Sequence, residues 1–389
     1  MDRQKQDFLN ILNAYVNKTT ITLETPDYNE IFRLAKINSL EAIIYSTLKE
    51  NKIVPDSVDV THLENIFNAT VMYSVKQEYV TNEVVKILAA NEVRHLLFKG
   101  IVIKKFYSDP DLRTMGDIDI YIDVDDRDKV KNILLENGYK IDEVNSHANV
   151  WNYKKNNVVI EMHTVLFERD LHQDISLRDY YKTPFALAVK EAEYSYVFTI
   201  ENHLIYMLLH MAKHFVNGGC GIRMLVDIAF ALKKNNVLDW SYIKGELQKN
   251  NIYQFAVNMF SLSAELFGTK QPFEKNENTL DYILEYMING GVFGYEGKNI
   301  DAIRTAKRME GKGNILRLIF PSYIDITTRY EWANRYPRFL LPLCWIKMWF
   351  YRLFVVKENS FKRVIEMAKN SNDAVTHKKM LELVGLHKE

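Results

Sequence analysis

In the stretch "GDIDIYIDV", residues 116 to 124, aspartates alternate with isoleucines. Successive side chains of a β-strand point to opposite faces, so Asp117, Asp119, Tyr121 and Asp123 share one face and Ile118, Ile120, Ile122 and Val124 the other. Acidic residues are poor strand formers, and a face built from them asks for a cation or a phosphate. Two carboxylates two residues apart can converge on a hard cation, and Mg²⁺ is usually held by one or two carboxylates together with substrate phosphates. A third carboxylate is available in "VVIEMHTV", residues 158 to 165, where Val159, Glu161 and His163 share a face opposite Ile160 and Met162. Two Mg²⁺ ions about 4 Å apart, held by Asp117, Asp119 and Glu161, would clamp the attacking and leaving oxygens of a phosphoryl or nucleotidyl displacement. The competing reading is structural: Asp117 caps a loop, Asp119 pairs with Arg113 or a lysine, and Glu161 faces solvent.

Upstream, "HLLFKG" ends an apolar strand in Lys99-Gly100. A strand that stops at Phe98 before a helix near Ile101 leaves backbone N–H groups where anions are favoured, and Gly100 lets the backbone approach closely. Lys99, Lys104 and Arg113 offer charge-assisted hydrogen bonds to a triphosphate. Further along, His203, His210 and His214 recur at helical spacing beside Lys213. The His210-x3-His214 pair, with Cys220 as a third ligand, supports a zinc reading that lacks a fourth ligand; satisfied core histidines are the commoner outcome. The reading we carry forward places this helix and "GIRMLVDIA" along a cleft opposite the acidic strand. Arg223 or Lys213 then faces phosphate, and Asp227 pairs with Arg223 one helical turn away.

These side chains need elements to hold them. From 1 to about 90 the apolar spacing is helical, in "DFLNILNAYV", "NEIFRLAKINSLEAIIYSTLK" and "ATVMYSVKQEYVTNEVVKILAAN". From about 91 the period changes to two, and "RHLLF", "DIDIYIDV" and "VVIEMHTV" read as strands separated by short helices at 101–107 and 126–137. Helical spacing returns near 198 with "ENHLIYMLLHMAKHFV" and "GIRMLVDIAFALKKN". The expected organisation is an N-terminal helical region over 1–90, a mixed α/β core over 91–197 and a C-terminal helical domain over 198–389. The fold class is α+β, a small mixed sheet flanked by helical regions. The text holds no internal repeat, low-complexity tract or Gly/Ser linker, so the parts are expected to pack together.

Composition removes several classes. Lys plus Arg and Asp plus Glu each total 50, so no global field favours nucleic acid or an anionic membrane. Two cysteines, Cys220 and Cys344, build neither a disulfide framework nor a four-ligand zinc site, which suits a cytoplasmic protein. The start, "MDRQKQDFLNILNAYV", has no apolar export signal. The longest apolar stretch, "FLLPLCWIKMWFYRLFVV" at 339–356, is broken by Pro342, Lys347 and Arg352. It falls short of the roughly 20 apolar residues a transmembrane span needs. It reads as a core helix, with weak peripheral membrane contact as the alternative.

Taken in order, "LFKG…IKKFYSDPDLRTMGDIDIYI", "VVIEMHTVLF", "LLHMAKHF…IRMLVDIA", "GGVFG" and "IFPS…RYPRFLLPLCW" resemble a bacterial uncharacterised nucleotidyltransferase family of the polymerase-beta-type superfamily. The resemblance runs from about residue 35 to 355. It implies Asp117 and Asp119 as ligands of Mg²⁺ or Mn²⁺, Glu161 as the third carboxylate, and Lys99-Gly100 as the phosphate-side turn. The wider superfamily usually has Gly-Ser or Gly-Gly in that turn, and this chain has Lys-Gly. The implied activity moves an NMP from an NTP to a hydroxyl or phosphate of an unidentified acceptor: a small molecule, a sugar or glycan precursor, or a protein. Lys99, Gly100, Arg113, Lys213 and Arg223 are the expected nucleotide-binding residues. The alternative is an antitoxin-like regulatory module that binds nucleotide without turnover.

Overall fold

The computed structural model describes residues 1–143, 146, 149–167, 171, 176–235, 237–274, 280–292, 294, 296–298, 303, 320–323, 326–327, 330–351 and 372–386. Two compact units divide the chain, one of residues 1–297 with 381–389 and one of residues 298–380.

The first unit holds a mixed seven-stranded sheet. Its strands are β1 His95–Phe98, β2 Asp117–Ile122, β3 Lys140–Ile141, β4 Val150–Lys155, β5 Val158–His163, β6 Ala188–Ala192 and β7 Ser195–Phe198. Their order is β3-β4-β5-β2-β1-β7-β6. The central strand β2 pairs antiparallel with β1 and parallel with β5. Helices precede the sheet in sequence as α1 Arg3–Asn17, α2 Tyr28–Ile37, α3 Glu41–Glu50 and α4 Val60–Ala90. Within it lie the four-residue α5 Gly100–Ile103, α6 Arg127–Glu136 and α7 Leu177–Tyr180. After it come α8 Ile200–Asn217, α9 Arg223–Lys234, α10 Trp240–Lys249, α11 Tyr253–Phe267 and α12 Leu280–Gly290.

One face of the sheet is a dry core. Ile118, Ile120 and Ile122 of β2, with Ile160 and Met162 of β5, pack against Val80, Val84 and Leu88 of α4 and Val130 and Leu134 of α6. This is the apolar half of the alternation in "DIDIYI", and its burial fixes register, since a one-residue slip would drive the aspartates into that core. The other face carries the acids and is covered by α8, whose Tyr206 ring meets Phe98 edge-on at 5.4 Å.

The structure departs from the sequence expectations at several points. The helical run 29–49 breaks between α2 and α3, where Ser39 adopts φ 54° and the Asn38 amide donates to the Leu34 and Ile288 carbonyls. Strand β2 stops at Ile122, so Asp123 lies beyond it and pairs with the exposed Arg94 at 2.7 Å, away from the acidic face. Strands β3, β4, β6 and β7 were not expected. In β6, "AVKEA", four of the five residues are exposed, so its sequence carries little apolar signal.

The second unit is described only in part. Around its helix Leu341–Phe350, the residues Ile326, Ala333, Cys344 and Met348 are buried, with Trp345 and Trp349 packed beside them. Phe339, Leu343, Ile346 and Phe350 are exposed. The end of the apolar run, 352–356, lies outside the described residues. No helix among the described residues is long and apolar enough to cross a membrane.

Candidate active site

The parallel pairing of β2 with β5 sets Asp119 level with Glu161 and Tyr121 level with His163. In-register neighbours share a face, so Asp117, Asp119, Glu161 and His163 form one polar patch. Ligand atoms of Asp119, Glu161 and His163 all lie within 4.8 Å of one another. His163 Nε2 is 2.8 Å from Asp119 Oδ1 and 3.3 Å from Glu161 Oε2. Burial raises the Asp117 carboxyl, and the charges of Asp119 and Glu161 raise it further, to about 6. Burial also opposes ionisation of Asp119, but Lys99 and His163 outweigh it and hold its carboxyl at about 2. The patch is therefore short of positive charge at Asp117 and supplied with it at Asp119.

The supply at Asp119 is Lys99, whose Nζ donates to Asp119 Oδ1 at 2.5 Å. Burial works against the Lys99 ammonium, yet Asp119 keeps it above its usual value. Its backbone sits at φ 55°, ψ −134°, where a side chain is strained by about 1–3 kcal/mol. The strained residue in the turn is thus the lysine. The absent side chain of Gly100 serves a different need, because a Cβ there would lie 2.8 Å from Arg113 Nη1 and 3.1 Å from Met115 Sδ.

Arg113 in turn is held by Asp227, through Nε at 3.0 Å to Oδ1 and Nη2 at 2.8 Å to Oδ2, while the Tyr107 hydroxyl donates to Oδ1 at 2.7 Å. The expected pairing of Asp227 with Arg223 is therefore wrong: Asp227 on α9 points toward Arg113, which reaches it from the loop before β2. Arg223 donates instead to the Thr114 carbonyl and hydroxyl at 3.3 and 3.0 Å, and its buried Nε has no partner. Burial and the neighbouring Arg113 lower the Arg223 guanidinium to about 10. Lys104, also expected near phosphate, donates to Ser74 at 2.6 Å and to Asp111 at 3.3 Å and lines neither cavity described below.

Two cavities flank the patch. The larger, about 310 Å³, is lined by Gly100, Asp117, Asp119, Arg113 and Arg223 on one side and by a wall of methionines, among them Met207, Met211 and Met224. The smaller, about 180 Å³, is lined by Asn152, Glu161, His163 and Lys213 with Val165 and Leu166. Lys99, Tyr206 and His210 border both. Two interlocked backbone turns close the far wall of the larger one: Gly221 N donates to the Val292 carbonyl, and a Cβ on Gly221 would lie 2.5 Å from the Gly291 oxygen. Gly291 and Val292 thus position the start of α9 and with it Arg223.

Among the described residues the histidines of α8 form no three-ligand group with Cys220. His203 packs against Phe106 and Phe198, and His210 meets His214 edge-on at 4.6 Å. Burial lowers His203 and His214 to about 4 and His210 well below its usual range. Among the described residues the candidate metal group is Asp119, Glu161 and His163, without Cys220. The role of His163 was missed in the sequence because its hydrogen bond to Asp119 exists only once β5 is registered on β2. Its place two residues after Glu161 was the one available signal.

A family model described as uncharacterised nucleotidyltransferase matches residues 24–268, more than half the chain. The "GGVFG" and "RYPRFLLPLCW" segments lie beyond the matched range. The comparison with curated proteins finds no match.

Proposed function

Because the chain belongs to the uncharacterised nucleotidyltransferase family, we propose that it moves an NMP from an NTP onto a hydroxyl or phosphate of an acceptor, with Mg²⁺ or Mn²⁺ held by Asp117, Asp119 and Glu161. The observation that carries the reading is register: Asp119 stands level with Glu161 across two parallel strands, and Asp117 lies on the same face. An all-oxygen donor set with surplus negative charge suits a hard divalent ion. When bound, that ion supplies charge neutralisation and Lewis-acid polarisation at the reacting phosphorus.

The chain's own groups then divide the work. Arg223, with its unpartnered Nε, and Lys99 bind the triphosphate, and Arg113 borders it above Gly100. The methionine wall takes the base, since Met side chains adapt to flat or irregular partners. His163 orients the Asp119 and Glu161 carboxylates by its hydrogen bonds. The acceptor oxygen forms a bond to the α-phosphorus, the bond to the β-phosphate oxygen breaks, pyrophosphate departs, and the acceptor proton passes to Glu161. Residues 91–197 supply this chemistry, α4 of the 1–90 region braces the sheet, and from the 198–389 region α8, the start of α9 and Val292 provide the cavity wall. The protein works in the cytoplasm without nucleic acid.

A second reading, a nucleotide-binding module without turnover, is favoured by one observation: the Lys99 ammonium already neutralises Asp119. The test is pyrophosphate release and label transfer from α-³²P NTPs with Mg²⁺ or Mn²⁺ and a metabolite extract. Transfer by wild type and none by Glu161→Gln is expected, with thermal stabilisation by NTP partly retained in that variant. Stabilisation without any transfer would leave the module reading standing instead.

A further inference from the structure

The helix Leu341–Phe350 of the second unit is two-sided. Cys344 and Met348 are each 1% exposed, while Leu343 is 53% and Ile346 67% exposed. Phe339, in the short turn that leads into the helix, is 79% exposed. At about 100° per residue, Leu343, Ile346 and Lys347 fall on one side and Cys344 and Met348 on the other. The outward side is therefore apolar apart from one lysine, and large apolar side chains grouped on a surface mark the place where a protein meets a partner or a membrane. Charge decides between these. From residue 332 to residue 357 the sequence holds Arg335, Arg338, Lys347, Arg352 and Lys357 and no Asp or Glu, in a chain whose formal charges cancel. Arg335, Arg338 and Lys347 are exposed, and the Lys347 ammonium lies 4.4 Å from the Trp332 ring centre and 5.5 Å from that of Tyr336.

We propose that this face of the second unit docks on an anionic phospholipid bilayer, with Phe339, Leu343 and Ile346 entering the acyl boundary and Arg335, Arg338 and Lys347 meeting the lipid phosphates. A second copy of the chain would set these cations against their own images, and the core of a protein interface is poor in lysine. A bilayer interface instead takes Trp and Tyr together with Lys and Arg beside apolar side chains. The contact is peripheral, because no helix among the described residues is long and apolar enough to cross a membrane. Three apolar side chains or a few cations alone hold a protein only marginally at a membrane; the two together add apolar burial to attraction by acidic headgroups. The docking stands apart from the nucleotidyltransferase reading, and its test involves no nucleotide.

The full-length chain is floated on a density gradient with vesicles of phosphatidylcholine alone or with about three-tenths phosphatidylglycerol, and the bound fraction is titrated against lipid. Wild type is expected to bind the anionic vesicles at least about tenfold more tightly than the neutral ones and to be released toward about 1 M salt, where charge acts over only roughly 3 Å. Leu343→Glu with Ile346→Glu, and separately Arg335→Gln with Arg338→Gln, should each weaken binding to the anionic vesicles at least about tenfold, and Phe339→Ser at least about threefold. All of these positions are exposed, so the melting curves should match that of wild type, and any one variant that does so suffices for the comparison. No binding of wild type to anionic vesicles, equal binding to neutral ones, or wild-type binding by every folded variant overturns the proposal. A dimer in sedimentation velocity that Leu343→Glu with Ile346→Glu abolishes, without vesicle binding by wild type, overturns it in favour of a second copy on this face.

Discussion

Two clusters of charge meet at the larger cavity, one through Arg113 and Asp227 and the other through Asp117 and Asp119, and are built on opposite principles. In one, Arg113, Asp227 and Tyr107 satisfy each other through two short ion-pair contacts and a hydroxyl. In the other, Asp117, Asp119 and Glu161 share the Lys99 ammonium and the His163 ring. A buried pair with every donor used is a structural fastening whose loss leaves an uncompensated charge. A cluster with a surplus of one sign is unstable until something arrives to cancel it, and pKa displacement of this kind concentrates at functional sites. The contrast separates the charges that hold the cavity from those that use it.

The largest test of the contrast is Arg113→Ala, expected to cost about 3–5 kcal/mol in denaturant unfolding by stranding Asp227 and Tyr107. The double change Arg113→Met with Asp227→Leu should recover much of that loss. A cost under about 1 kcal/mol for the single change would show that the pair is not a fastening. Next is Arg223→Ala, which removes a charged donor facing the larger cavity. NTP–Mg²⁺ affinity should fall by roughly 1.5–3 kcal/mol, about ten- to a hundred-fold, in calorimetric titration. Equal dissociation constants would return Arg223 to the structural side.

Asp117 gives a test with a sign. Its folded carboxyl titrates at about 6, above the ordinary 3.8, so the folded state binds the proton more tightly than the unfolded chain between those values. Wild-type stability therefore falls as pH rises through this window and is lowest above about 6. Asp117→Asn should be more stable than wild type at pH 7.5 by on the order of 2 kcal/mol, and the advantage should shrink toward pH 4. A mutant advantage that grows on acidification would contradict the surplus-charge account. The smallest effect expected is Gly100→Ala, about 1 kcal/mol of destabilisation. The new methyl would crowd Arg113 Nη1, which Asp227 keeps from moving aside. Removing that restraint with Asp227→Asn should soften the penalty.

The fold class was legible because period-two and period-3.6 patterns survive in the text wherever one face is dry, as in β2 against α4. The carboxylates of β2 and β5 were legible for the same reason, their isoleucine partners fixing which way they point. What escaped depends on contacts remote in sequence. Arg113 and Asp227 are 114 residues apart, and helical spacing argued for the nearer Arg223. The ion pair that singles out Lys99 as the partner of Asp119 follows from a backbone conformation that residue type does not encode. Exposed β6 carried no apolar alternation to read.

The strand order carries a consequence for the time at which activity first appears. Strands β1 and β2 are close in sequence and can pair early, but β2 gains Glu161 only after the chain has crossed over to β5, and β1 waits for β7, about a hundred residues downstream. Parallel pairings of this separation are slow, because loop closure is incurred before contacts reward it. The acidic residues of β2 therefore spend the early part of synthesis without their eventual neighbours. A nascent chain released before about residue 220 would hold the whole sheet yet lack Arg223, so nucleotide affinity should arrive as a late event in synthesis, after the sheet and not with it.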